Sequence, residues 1–116
     1  LGEVTFMHGL NEPGVPLPIK EALYRVAQEA LHNVVKHARA THVDIYLGST
    51  DAAVILDLRD DGQGFDPGGD FPGHLGLKSM RERVARVGGV ITIESERGHG
   101  AHLRVEIPVA PGDPTD

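Results

Sequence analysis

The stretch that decides the fold is Ile19-Lys20-Glu21-Ala22-Leu23-Tyr24-Arg25-Val26-Ala27-Gln28-Glu29-Ala30-Leu31-His32-Asn33-Val34-Val35-Lys36-His37-Ala38. Its apolar positions are Ile19, Ala22, Leu23, Val26, Ala27, Ala30, Leu31, Val34, Val35 and Ala38, so the spacing alternates three and one. That period predicts a helix from Ile19 to Ala38 with one buried face. Pro18 suits the first turn, where a missing N–H costs nothing. Upstream, Val15-Pro16-Leu17-Pro18 is too rich in proline to be helical, Asn11-Glu12-Pro13-Gly14 is turn chemistry, and Glu3 to His8 alternates weakly as a short strand.

Downstream, Thr41 to Leu47 and Ala53 to Arg59 alternate polar and apolar residues across a short Gly48-Ser49-Thr50-Asp51 connection, which predicts an antiparallel hairpin. Asp60 to Gly76 follows, with five glycines before Gly76 and two prolines. It is too long for a tight turn and marks a functional or mobile segment. Leu77, Met80, Val84 and Val87 define a second helix that Gly88-Gly89 should stop. Val90 to Glu94 and His102 to Ile107 read as strands joined at Gly98-His99-Gly100, and Ala110 to Asp116 should fray. The order β-α-β-β-loop-α-β-β predicts an α+β fold, a two-layer sandwich with both helices on one face of a mixed, mostly antiparallel sheet.

Composition narrows the function. At 116 residues the chain fits one domain, with a core large enough to need no staples. Eleven basic against 17 acidic residues give a formal charge of −6, which argues against a nucleic-acid binder or a polybasic membrane anchor. Without cysteine there is no disulfide, thiolate zinc site or thiol nucleophile. No apolar run spans a membrane or forms a secretory signal, and the start at Leu1 suggests a piece of a longer, cytoplasmic protein.

Four features can carry chemistry. Glu29, Asn33 and Lys36 fall within a stripe roughly 60° wide, read as lying opposite the apolar face of the first helix. A carboxylate, an amide and an ammonium in one row could orient a nucleophile, hold a hard cation and meet a phosphate; a solvated face is the plainer alternative. Asp60-Asp61-Gly62-Gln63-Gly64 follows a strand, so a carboxylate could accept a bond from an exocyclic amine while glycines let backbone approach a ligand, although Asp-Gly also serves as a simple turn. Gly73-His74-Leu75-Gly76-Leu77-Lys78 opens the second helix, where free N–H groups favour an anion. Gly98-His99-Gly100 is a further close-approach candidate, with a hairpin turn the plainer reading. His99 and His102 are too few to make a metal site and read as surface residues, as do His8 and His42 on the solvent faces of strands.

In sequence order, these features resemble the ATP-binding catalytic domain of sensor histidine kinases, within the group shared with gyrase, the Hsp90 chaperone and MutL. Gln28 to Ala38 looks like the N box, Asp60-x-Gly62-x-Gly64 like the first glycine box, and His74-x-Gly76-Leu77 running into Met80-Arg81-Glu82-Arg83 like the second. Gly88-Gly89, Gly98-x-Gly100 and a last strand ending in Pro108 complete the pattern. Lys36-His37-Ala38 and the short lid resemble the subclass that pairs with helix-turn-helix response regulators.

The resemblance implies a Bergerat-type fold over residues 1–109, with ATP and Mg²⁺ as ligands. Asp60 would take the adenine amine, with Gly62 and Gly64 packing on the nucleotide. Asn33 would ligate Mg²⁺. Lys36, His37, Gly76 and Leu77 would meet phosphate, with His74 as a further lid contact, and Glu29 would polarise the attacking imidazole. Residues 65–75 would form the ATP lid. Ala101 stands where the family commonly has Thr or Ser, so a hydroxyl near the base is missing. None of the seven histidines is followed by Asp or Glu, as the subclass's phosphorylated histidine is. The resemblance therefore implies a domain that binds ATP and does not phosphorylate itself. It is expected to be a monomer alone and part of a homodimer at full length, where membrane anchoring is an open possibility. Its partners would be its own histidine-bearing dimerisation domain and a response regulator. A non-catalytic ATP sensor and an anti-sigma-type serine kinase are the alternatives.

Overall fold

Three rows of branched aliphatics, Val43-Ile45-Leu47, Val54-Leu56-Leu58 and Leu103-Val105-Ile107, lie buried at alternate positions of neighbouring strands. One face of a sheet is thereby apolar and must be covered. The computed structural model describes residues 3–9, 15–35, 41–50, 52–62, 77–95, 98 and 100–109, with 3–9 given essentially as backbone. Its elements are β1 (Glu3–Gly9), α1 (Leu17–Asn33), β2 (His42–Ser49), β3 (Ala53–Asp60), α2 (Leu77–Arg86), β4 (Val90–Ser95) and β5 (Ala101–Pro108). The five strands form one sheet in the order β1-β2-β3-β5-β4. β1 runs parallel to β2 across the α1 crossover, and every other neighbour is antiparallel. This is the expected two-layer α+β sandwich.

The core lies between sheet and helices. Ile19, Leu23, Val26, Ala30 and Val34 of the α1 segment and Met80 and Val84 of α2 pack onto the three aliphatic rows. Leu56 is 1% exposed, so truncating it to alanine should cost about 2–5 kcal/mol. The outer face of the sheet is polar. There Asp57 Oδ2 accepts from His102 Nε2 at 2.8 Å, while Arg104 and Arg59 approach the carboxylate at 3.4 Å. Burial alone would raise the Asp57 pKa, but the bond to His102, its charge and that of Arg59 hold it below the ordinary value. His102 is thus an ion-pair partner on the sheet surface, and His42 Nε2 likewise meets Asp44 Oδ1 at 2.7 Å.

The helix boundaries follow local chemistry. α1 starts two residues earlier than the periodicity indicates, because Pro16, at φ −59° and ψ 145°, hands over to a first turn that contains Pro18. It ends at Asn33, with a wider π turn at Val34 and Val35. Residues 36–40, and with them the last part of the expected helix up to Ala38, lie outside the described residues. α2 ends in the expected glycines: the N–H of Gly88 bonds to Ala85 O and that of Gly89 to Val84 O, both at 3.0 Å, with Gly88 at φ +79°. These are the two bonds of a Schellman cap. Residues 110–116 also lie outside the described residues.

Candidate functional site

The even-numbered row of β3 that buries Val54, Leu56 and Leu58 ends in Asp60. Strand alternation therefore places this carboxylate on the helix side of the sheet, where the apolar core stops. Asp60 is half-buried, and its Oδ1 accepts the N–H of Gly62 at 2.8 Å. Its pKa is raised, first by burial and then by the adjacent Asp61 charge, against the lowering effect of the Gly62 and Ala101 N–H groups. A half-buried carboxylate with a raised pKa at a strand end is a candidate for ligand contact.

Gly100 completes this corner. It is buried at φ +78°, and a side chain there would collide with the Asp60 carbonyl oxygen. The next residue, Ala101, pairs with Asp60 across the β3–β5 ladder. The Gly98-x-Gly100 turn is therefore both a hairpin connection and a close-approach loop. Ala101 brings only a methyl group next to the carboxylate. Ser95 Oγ donates to Gly100 O at 3.0 Å and fastens the turn from the β4 side.

α1 carries the other candidate residues. Glu29 and Asn33 are half-buried, whereas Glu21, Tyr24, Arg25, Gln28, His32 and Val35 are exposed. The polar row therefore does not lie opposite the apolar face. At 100° per residue, Glu29 and Asn33 sit on its flank, one turn from Val26 and Ala30. That flank faces α2. Glu29 lines a groove of about 390 Å³ between the helices, together with Arg25, Gln28, His32, Ser79 and Arg83. Leu77, the first residue of α2, packs half-buried against the core.

The C-terminal end of α1 and the Asp60 corner share one end of the sheet. Only residues 36–40 join Val35 to Thr41, a reach of at most about 20 Å. The N–H groups of Thr41 and His42 bond to Asp61, the residue after Asp60. Strand order and chain direction set the end of α1, the Asp60–Gly62 corner and the start of α2 toward the same end of the sheet, while the groove between the helices is lined by Glu29 and not by Asn33 or Asp60. Lys36, His37, Gly64, His74, Gly76 and the proposed lid, 65–75, lie outside the described residues. Sequence reasoning missed Thr41 and the use made of Asp61, and gave Gly100 too little weight.

Residues 19–111 match the family described as histidine kinase-, DNA gyrase B- and HSP90-like ATPases. The chain belongs to this family. Within it, the sequence is similar to sensor kinases: 43% identical over 99 residues to the signal transduction histidine-protein kinase/phosphatase UhpB of Salmonella typhimurium, covering 85% of this chain and 19% of that protein. It is 32% identical over 102 residues to the sensor histidine kinase LiaS of Bacillus subtilis, covering 88% of this chain and 28% of the relative. The chain thus spans less than a third of the length of these two relatives. Among solved structures, the ATP-binding domain of PrrB from Mycobacterium tuberculosis superposes with a TM-score of 0.68 at 27% identity, over 92% of this chain and 79% of that one. A blue-light activated histidine kinase of Erythrobacter litoralis shares the fold, with a TM-score of 0.75 at 23% identity over 97% of this chain and 37% of that one. The relatives and the solved ATP-binding domain that it resembles within this family are histidine kinases.

Proposed function

We propose that the domain binds Mg-ATP between the α1 flank and the Asp60 corner and delivers the γ-phosphate to a histidine in a separate dimerisation domain. The observation that carries this reading is Asp60 itself, a half-buried carboxylate at a strand end, backed by Gly62 N–H and Gly100. A carboxylate in that setting accepts a hydrogen bond from the adenine amino group and rejects a carbonyl at the same place. The absence of a side chain at Gly100 lets the β4–β5 turn close onto the Asp60 backbone, which seats the carboxylate's residue at the strand end.

The residues fit a hard divalent ion in a specific way. Among the described residues no group of three His, Asp or Glu side chains could hold a metal. The Asn33 amide oxygen is an oxygen donor of the kind Mg²⁺ accepts, with phosphate oxygens and water completing the shell. When bound, the ion would offset triphosphate charge. Lys36, His37, the amides near Gly76 with Leu77, and His74 would meet the phosphates, and Gly64 would pack on the nucleotide. Glu29, on the same flank as Asn33, would orient the incoming imidazole for in-line attack. Phosphoryl transfer asks a protein chiefly for such positioning and charge stabilisation. Without the acceptor domain, ATP hydrolysis by this chain is slow.

In the wider assembly the acceptor domain dimerises, this domain is monomeric, and the phosphate passes to a response regulator in the cytoplasm. No helix among the described residues is long and apolar enough to cross a membrane. Labelling the intact protein with γ-phosphate-labelled ATP tests the reading. The account expects acid-labile, base-stable phosphohistidine that Glu29→Ala abolishes while ATP still binds. Acid-stable phosphoserine would assign a different acceptor chemistry.

A further inference from the structure

Asp61 follows Asp60 in sequence but does a different job. Its Oδ1 accepts the backbone N–H of Thr41 at 2.8 Å and that of His42 at 2.9 Å, and its Oδ2 accepts the Thr41 hydroxyl at 2.6 Å. Its own N–H donates to His42 O at 3.2 Å. These bonds tie the first two residues after the 36–40 connection to the residue between Asp60 and Gly62. The tie sits just outside Val43↔Asp60, the last pair of the β2–β3 ladder, where the strand ends would otherwise be free to fray.

We propose that Asp61 is a positioning residue for nucleotide binding, a clamp that fixes where the chain re-enters the sheet after α1 relative to the Asp60–Gly62 corner. The proposal rests on the nucleotide reading above. One side of the clamp leads back through residues 36–40 to Asn33, the phosphate end of the site. The other side carries Asp60 and Gly62, the base end. Holding Thr41 and His42 against the Asp60–Gly62 corner before a ligand arrives spares a ligand that reaches both ends the cost of ordering this junction. Charge-assisted bonds suit this task because they are short and directional. The hydroxyl of Thr41 and the His42 N–H hold the Asp61 pKa at about 2, so the acceptor stays ionised at neutral pH. Asp61 is exposed and outside the apolar core, so its removal is expected to weaken the fold without abolishing it.

The test is calorimetric titration of the chain and its Asp61→Ala, Asp61→Asn and Thr41→Val variants with Mg-ATP and, separately, with adenosine, which engages the base end alone. Asp61→Ala is expected to lose about tenfold in ATP affinity while adenosine affinity stays within about twofold. Asp61→Asn keeps an oxygen acceptor for both N–H groups and an amide donor for the Thr41 hydroxyl, so it should stay within about threefold of the parent chain for ATP. Thr41→Val, which removes one bond and no charge, should show a smaller loss that is again confined to ATP. If Asp61→Ala fails to fold, Thr41→Val decides alone. Unchanged ATP affinity, or equal losses for ATP and adenosine, overturns the clamp. A parent chain that binds neither ligand overturns the nucleotide reading, and the clamp's role with it.

Discussion

Gly100 rests on the backbone of Asp60: at φ +78° its α-carbon faces the Asp60 carbonyl oxygen with no room for a side chain between them. The β4–β5 turn and the end of β3 thereby become one surface. The contact seats the Asp60 backbone, and the Gly62 N–H bonds its carboxylate.

Gly100→Ala tests that contact. The new methyl group must displace the Asp60 carbonyl, and the residue must also hold a left-handed φ. Together these should cost about 2–4 kcal/mol of stability, measurable by urea unfolding, with a parallel loss of ATP binding. Gly98→Ala meets nothing within 4 Å and carries only the left-handed penalty, so it should be the milder variant.

The Asp60 carboxyl titrates above its ordinary 3.8, chiefly because of burial and secondly because of the Asp61 charge. A raised folded-state value means that this group's contribution to stability is complete below the unfolded pKa and is lost as pH rises through the folded one. Ionised Asp60 thus opposes folding at neutral pH, a cost borne by a binding site. ATP affinity, which needs the carboxylate, should fall on acidification through a midpoint above 3.8, and Asp61→Asn should move that midpoint down. Titrations between pH 7 and about 4 read both effects.

Asp61 behaves in the opposite sense. Its folded value of about 2 lies below the ordinary 3.8, so its contribution to stability is present above about 3.8 and lost as pH falls from there toward 2. The thermal midpoint of the parent chain should decline over that window, and Asp61→Asn should show a shallower decline.

Much of this was legible in the sequence because the fold is locally consistent. The 3-1 spacing of Ile19 to Val34, the alternation in β2, β3 and β5 and the Gly88-Gly89 stop each specify one element. Spacing alone sets Glu29 and Asn33 opposite the apolar face, because a helix has no outward sign of where its neighbour packs; the groove with α2 shows that Glu29 lies on the flank. The Asp61 clamp was hidden for a related reason. Asp60 and Asp61 are identical in sequence, and only strand alternation, with Asp60 on the helix side, separates a binding carboxylate from one that fastens Thr41 and His42.

Asn33→Ala separates the ion's contribution from the base's. The parent chain should bind ATP more tightly with Mg²⁺ than with a chelator present. In the variant that difference should shrink by about tenfold while metal-free affinity is unchanged. Equal metal dependence in both would remove Asn33 from the ion's coordination.

The central claim is that Asp60 receives the purine. Calorimetric titration of the chain with a non-hydrolysable ATP analogue and Mg²⁺, repeated on Asp60→Ala, tests it most directly. The account predicts a saturable exothermic isotherm for the parent chain and a loss of at least about a hundredfold in the variant, with the variant still cooperatively folded. Affinity unchanged in a folded Asp60→Ala variant would place the base elsewhere and contradict the account.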